Sequence, residues 1–194
     1  HLYPYYNKHE LSATKVRYVR DKNFSVMGSF NGTGLFGEQL FQKAKYVTIT
    51  EGECDAMACY ELMGSKWASV SIKRGSSGAV KDIKESLEFL ESFENVVICF
   101  DSDKQGQEAA KKAAMLFQPS KAKIMKLPEG YKDANDMLRQ NKHKEFVEAW
   151  WSAKTYTPSG VINVSEARED FFTREQKESV PYPWKGLNDK LYGL

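Results

Sequence analysis

Two short acidic motifs have the residue types and spacing to do chemistry: Glu51-Gly52 and Asp101-Ser102-Asp103. Each directly follows an apolar run, Tyr46-Val47-Thr48-Ile49-Thr50 in the first case and Val96-Val97-Ile98-Cys99-Phe100 in the second. Such runs are short, rich in β-branched or aromatic residues and bounded by polar ones, which predicts buried strands. In an open parallel sheet, ligands collect outside the carboxyl ends of the strands. Carboxylates just past two such ends therefore meet across one crevice. Clustered carboxylates repel one another unless a cation sits among them, and hard divalent ions prefer oxygen ligands. An i, i+2 pair on an extended loop points both carboxylates to one side. Glu51, Asp101 and Asp103 are thus the candidate ligands of a Mg²⁺ ion, with Mn²⁺ as its substitute.

Two further stretches belong to the same rim. Lys132-Asp133-Ala134-Asn135-Asp136 follows a fourth apolar run and brings Asp133 toward the cluster. Asp133 or Asn135 is equally suited to cap a helix, and the two roles are compatible. Lys73-Arg74-Gly75-Ser76-Ser77-Gly78 lies after a strand and before a helix, where small residues let backbone N–H groups approach a phosphate. It lacks the Gly-Lys-Ser/Thr ending of a Walker A loop, and an ordinary connection explains it as well as a phosphate cradle does. Asp55, one turn into the first helix, either touches the site through water or favours the helix N-terminus.

The elements that must position these residues alternate βαβα from Tyr46 onward. Strands are predicted at 46–50, 67–72, 96–100 and 122–127. Helices are predicted near 53–63, from 79 to about 93, and at 105–117, 134–140 and 143–153. That rhythm implies a parallel sheet with right-handed crossovers, an α/β fold. Residues 1–44 read as a small β-rich, basic subdomain, and 45–153 as the catalytic one. Within the first, Lys15-Val16-Arg17-Tyr18-Val19 alternates basic and larger apolar side chains. The alternation predicts a half-buried strand showing Lys15, Arg17 and Arg20 to solvent, as a phosphate contact or as a charged edge that discourages strand pairing. Residues 154–180 read as a linker. In it Asn163 and Glu166 form a capping-box pair for a helix near 164–178, whose stripe of Val164, Ala167, Phe171 and Phe172 has no evident partner. A new segment starts at 181–194.

The chain of 194 residues is long enough for one good core, and 41% hydrophobic content without a bilayer-length apolar run predicts a soluble globular protein with no membrane partner. The first residues, His1-Leu2-Tyr3-Pro4, lack the basic and apolar regions of a signal peptide, and the chain reads as a fragment of something longer. Cys54, Cys59 and Cys99 form no C-x-x-C pair, so free thiols in a reducing compartment are expected, and no zinc site. Net charge is +2, but residues 1–50 hold seven Lys/Arg against three Asp/Glu, whereas residues 51–150 hold fifteen against seventeen. A polyanion can lie on the first piece while a metal works in the second.

Glu51-Gly52 after one strand and Asp101-x-Asp103 after another, with βαβ spacing between them, resemble the Toprim domain of primases, topoisomerases and some nucleases. Phe100-Asp101-Ser102-Asp103-Lys104-Gln105-Gly106, Lys132-Asp133-Ala134-Asn135-Asp136, Leu35-Phe36-Gly37 and Pro183-Trp184-x-Gly186-Leu187-Asn188-Asp189 are similar, more narrowly, to the primase part of T-seven-type phage primase–helicases, to which mitochondrial Twinkle is related. The resemblance implies a phage-encoded RNA polymerase domain in the host bacterial cytoplasm. It would make short primers from ribonucleoside triphosphates on a single-stranded DNA template, as part of a homo-hexamer working beside a replicative DNA polymerase. It implies that Asp101 and Asp103 hold Mg²⁺, that Glu51 is a further catalytic acid and that Asp133 supports the cluster. Lys15 and Arg17, with Lys73, Arg74, Gly75 and Ser76, are the expected nucleotide or DNA contacts. Zinc belongs only to an upstream module absent from this chain. The linker helix is expected to pack on an adjacent subunit, and 181–194 to begin a helicase domain. The rival readings are a Toprim nuclease, which uses the same acids, and a non-catalytic module for DNA binding or hexamer assembly. A topoisomerase is disfavoured, because no companion domain offers a placed catalytic tyrosine.

Overall fold

The structure, a computed structural model, describes residues 1–158 other than Lys22, together with residues 182–184, 186 and 190. The linker helix expected near 164–178 lies outside the described residues. His1–Tyr156 form one compact unit, and Thr157–Leu194 a second.

The first unit contains two sheets. β1 (Leu2–Asn7), β2 (Glu10–Arg17) and β3 (Phe24–Gly28) form an antiparallel meander in that order. The second sheet has five strands, β4 (Tyr46–Thr50), β5 (Ala68–Ser71), β6 (Asn95–Cys99), β7 (Ala122–Ile124) and β8 (Lys154–Thr155), in the order β5-β4-β6-β7-β8. All pairs are parallel except β7 with β8. The predicted α/β class is observed, and the sheet expected to be parallel is so except at β8.

Helices cover both faces, which is why the strands read as continuous apolar runs. Val47, Ile49, Val70, Val96 and Ile98 pack beneath α2 (Ala79–Glu85), α3 (Leu87–Glu91) and α4 (Lys104–Ala114). On the opposite face Val97 and Cys99 meet α1 (Glu53–Leu62), α5 (Ala134–Arg139) and α6 (His143–Trp151). Ala109, Ala110, Ala113 and Ala114 give α4 a stripe of small residues that packs into the first of these cores. Thr48 points the other way, and its hydroxyl accepts the buried Trp150 indole N–H at 2.9 Å, so the polar atoms of both are satisfied.

Three differences from the sequence reading have physical causes. The helix expected over 79–93 is two helices, because Ser86 leaves helical geometry at φ −112°, ψ 20° and serves as C-cap of α2 and N-cap of α3. Serine competes locally with helix hydrogen bonding, which makes it a natural break. The two-residue β8 was not anticipated, being too short to carry a periodic signal. On β2, the alternation is inverted. Lys15 and Ala13 share a face with Tyr3 and Tyr5 of β1, since Tyr3 pairs with Lys15 and Tyr5 with Ala13. That face is turned to the larger sheet, while Leu2 and Met27 on the other are exposed.

The two sheets are locked together by polar ties across an aromatic cluster of Tyr3, Tyr5, Phe30 and Phe36. The buried Tyr5 hydroxyl donates to Glu53 Oε1 at 2.6 Å, and Lys15 Nζ reaches the same oxygen at 2.8 Å. Phe36 exchanges backbone hydrogen bonds with Ser71, covering the free edge of β5. Tyr5→Phe removes one charge-accepting hydrogen bond from this interlock. It is expected to cost about 1.5–3 kcal/mol in urea unfolding, with no change in secondary structure by circular dichroism.

Candidate metal centre and nucleotide cleft

Glu51 leaves the end of β4 and Asp101 the end of β6, adjacent strands of one sheet, so the two carboxylates emerge side by side. Asp101 sits against α4 because residue 106 is glycine: a Cβ there would come within 2.5 Å of the Asp101 carbonyl oxygen. Gln107 Nε2 donates to that same carbonyl at 3.0 Å. The loop carrying Asp133 is tied in by Ser102, whose N–H donates to the Lys132 carbonyl at 2.9 Å and whose hydroxyl donates to the Tyr131 carbonyl at 3.0 Å.

The result is a group of three carboxylates, Asp55, Asp101 and Asp133, with one oxygen from each within 4.8 Å of the others. Asp133 also caps α5, accepting the Asp136 N–H at 2.8 Å, so its two anticipated roles coexist. Asp55 accepts the Asn135 N–H at 3.1 Å, which joins α1 directly to the start of α5. The sequence signal for Asp55 was its place one helical turn after Glu51, which carries α1's first carboxylates toward the same rim. Asp103 is placed differently. Its carboxylate caps α4 by accepting the Gly106 N–H at 2.8 Å, and it is not part of the three-carboxylate group.

Glu51 is half-buried beside them. Its Oε1 accepts the Ser76 N–H at 3.0 Å, while Oε2 is buried without a partner among the described residues. The Ser76 amide is thus turned to Glu51. Gly75 makes the turn at φ +68°, a conformation that glycine adopts freely. Asp82, fully buried on α2, holds the loop by accepting the Lys73 N–H at 2.7 Å and the Arg74 N–H at 2.9 Å and by pairing with the Arg74 guanidinium.

Lys73 departs from the expected nucleotide contact. Its ammonium side chain is 0% exposed, donates to the Thr33 carbonyl at 2.8 Å and pairs with Glu85 at 2.7 Å. A long basic side chain buried this way holds the two sheets together and has no face left for phosphate. Arg74 is part-exposed but paired with Asp82 and Glu85. The cations that line the cleft from the other side are Lys15, paired with Glu53, and Arg17, which makes no ion pair among the described residues. Lys132 Nζ lies 3.0 Å from Asp101 Oδ2 and is largely exposed. Together these residues enclose a cleft of about 520 Å³ between the small sheet and the strand ends.

Electrostatics reflect the crowding. Burial, then the neighbouring Asp133, pushes the Asp55 carboxyl up to about 7. Burial and Asp101 raise Glu51, against the lowering effect of the Ser76 amide. Burial raises Asp101 although the Lys132 ammonium opposes it, and the same contact raises Lys132. A carboxylate whose folded pKa lies above its unfolded value contributes its stability below the unfolded pKa and loses it as pH rises through the folded one. For Asp55 the metal-free protein therefore loses stability between about pH 4 and about pH 7. A divalent cation among the carboxylates reverses that loss.

Asp55→Asn is accordingly expected to raise the Tm at pH 8 in chelator by about 3–6 °C, and to shrink the further rise that saturating Mg²⁺ gives the parent protein. Differential scanning fluorimetry with and without metal reads both effects. Lys73→Gln is expected to lower stability by about 1–3 kcal/mol while changing nucleotide affinity by less than about twofold, because its role is a buried tie. Urea unfolding beside a nucleotide titration separates the two.

Residues 48–138 match the Toprim-like family. The chain is 32% identical over 178 residues to the DNA helicase/primase of Enterobacteria phage T3, covering 90% of this chain and 31% of that protein, so it spans about a third of that relative. Two solved bacteriophage T7 structures are similar. The first is the primase fragment of the primase-helicase protein, with TM-score 0.68 and 32% identity, covering 77% of this chain and 62% of that one. The second comes from an assembly in which lagging-strand DNA polymerase interacts with primase domains of two gp4 subunits bound to an RNA/DNA hybrid and dTTP. It matches with TM-score 0.73 and 32% identity, covering 80% of this chain and 78% of that one. Identity sustained at that level across more than three quarters of both chains means that this protein belongs to the Toprim-fold primase domains of the phage primase–helicase family.

Proposed function

We propose that this chain is a primase catalytic core, which joins ribonucleoside triphosphates into short RNA primers on single-stranded DNA. The observation that carries the reading is the convergence of Asp55, Asp101 and Asp133 from different elements onto one point in a cleft faced by a basic sheet. A nucleotidyl transfer joins a hydroxyl to the α-phosphate of a triphosphate and releases pyrophosphate; bare carboxylates repel the triphosphate and its departing pyrophosphate, so the cluster serves the reaction only with a cation in it.

The donor set fits a hard divalent ion such as Mg²⁺ or Mn²⁺: all-oxygen, crowded, with raised carboxyl pKa values and an unpartnered buried oxygen on Glu51. Asp55, Asp101 and Asp133 would hold it, with Glu51 beside them and Asp103 fixing the start of α4. Bound there, the ion supplies charge neutralisation for the triphosphate and acidifies the attacking hydroxyl. Arg17 and Lys132 line the two walls of the cleft and attract phosphates, and Lys132, paired with Asp101 at 3.0 Å, would be free to turn to a phosphate once a cation held Asp101. Glu51 Oε2, raised in pKa and unpaired, is available to take a proton or to contact the cation.

In this reading the chain is one segment of a larger primase–helicase acting in the cytoplasm of a phage-infected bacterium. A zinc module upstream, a helicase downstream, a hexameric state and a replicative DNA polymerase partner are the arrangement its family suggests. No helix among the described residues is long and apolar enough to cross a membrane.

The test is primer synthesis from labelled ribonucleotides on single-stranded DNA with Mg²⁺, the zinc module supplied in trans, beside Asp101→Ala. Metal-dependent di- to tetranucleotides that fall to background in the variant, whose circular dichroism is unchanged, are expected. Undiminished synthesis by Asp101→Ala, or template shortening without nucleotide incorporation, would sink the assignment, the second result moving the chain to the Toprim nucleases.

A further inference from the structure

Among the described residues, Phe24 is the sole aromatic ring lining the cleft that holds Glu51, Asp55, Asp101 and Asp133. It opens β3, an edge strand of the small sheet, and pairs with Arg17, so it shares the inward face with Arg17 and Lys15. On that face Tyr3, Tyr5 and Ala13 are buried in the aromatic cluster. Phe24 lies beyond the end of that cluster and is 52% exposed.

An exposed phenylalanine is ordinary on a protein surface and needs no function by itself. This one differs in its surroundings. Among the described residues, every other side chain along the cleft is polar, charged or small, so the ring is the one large apolar surface that the cleft offers. Two cations flank it, Lys15 Nζ at 4.9 Å and Arg17 Cζ at 5.6 Å from the ring centroid. Those contacts steady the ring while leaving part of its surface to solvent. A nucleoside triphosphate has two recognisable ends. Its phosphates match the carboxylate-held cation with Arg17 and Lys132, and its base offers a flat π-face that stacks on an aromatic ring whatever its hydrogen-bonding edge.

We propose that Phe24 is a base-stacking platform, receiving the nucleobase of a ribonucleotide whose phosphates lie toward the Asp55–Asp101–Asp133 cluster. The assignment rests on the primase reading of the same cleft and adds to it the subsite for the base. Because stacking ignores base edges, Phe24 contributes affinity equally to all four nucleotides, and sequence choice is left to the template.

The experiment compares the parent chain with Phe24→Leu and Phe24→Trp by calorimetric titration with each ribonucleoside triphosphate and with inorganic tripolyphosphate, all in Mn²⁺. Phe24→Leu is expected to weaken all four nucleotides by about tenfold and to leave tripolyphosphate within about twofold of the parent. Phe24→Trp is expected to retain nucleotide affinity and to gain a fluorescence signal that nucleotides quench and tripolyphosphate does not. Equal losses for nucleotide and tripolyphosphate would overturn the proposal, because Phe24 would then act only by orienting Arg17. Unchanged nucleotide affinity in Phe24→Leu would overturn it as well, and leaves the primase reading standing if the parent makes primers. Nucleotide binding that depends on Phe24 in a chain that makes no primers would instead remove the primase reading and keep the stacking site. A parent chain that binds no nucleotide defeats both.

Discussion

Mutual repulsion among the carboxylates at one rim of the parallel sheet is the constraint on which the rest of the molecule depends. Asp55, Asp101 and Asp133 are pressed together against their preference, and burial, with the neighbouring Asp133 adding to it, pushes the Asp55 carboxyl up to about 7. Left to themselves, loops carrying such charges would splay apart. They are held because each is anchored in structure that the repulsion cannot move. Asp133 caps a helix, Asp55 accepts an amide from that helix's first turn, and Asp101 is clamped by Gly106 and Gln107. The strands behind them are buried on both faces, so the cost of moving any one of them is the cost of opening the core. The site stores unfavourable electrostatics that the fold can sustain and that a divalent ion relieves.

The small sheet is organised by the same charges. Glu53, adjacent to the cluster on α1, accepts from Tyr5 and Lys15, and so fastens β1 and β2 over the strand ends. Lys73 runs in the opposite sense, from the end of β5 to the Thr33 carbonyl and Glu85. With Asp82 holding the Lys73–Arg74 backbone and Ser76 holding Glu51, hydrogen bonds and the backbone of the 73–76 loop together link the interior of α2 to the acidic rim. Basic residues in this protein therefore serve two ends. Some, such as Lys73, are consumed in holding distant segments together, and others, such as Arg17 and Lys132, line the cleft, Lys132 beside Asp101.

Much of this was legible before the structure. The strand over Tyr46–Thr50 stands where its apolar run placed it, and Asn95–Cys99 lies one residue before the predicted 96–100, because strands buried on both faces leave an unambiguous signal. Glu51, Asp101 and Asp133 follow from the rule that ligands gather at strand ends, and all three line the cleft. Asp103 shows the limit of that rule: a carboxylate a few residues past a strand is also well placed to cap the next helix, and spacing cannot separate the roles. Asp55 becomes a third member of the cluster only once α1 and α5 are packed together, a tertiary fact. Lys73 was misjudged because a buried lysine is uncommon and its partners, Thr33 and Glu85, are distant in sequence. The direction of β2 was misjudged because alternation fixes which residues share a face but not which face is covered.

Where a divalent ion binds decides what the three carboxylates are for. Crystals grown in chelator and soaked in Mn²⁺, with anomalous data collected at the manganese edge, locate it without reference to activity. The predicted result is one strong peak about 2.0–2.3 Å from oxygens of Asp55, Asp101 and Asp133, with the Lys132 ammonium displaced from Asp101. A peak elsewhere in the protein, or no peak with the Lys132–Asp101 contact intact, would contradict the claim that these three carboxylates are built around a shared cation.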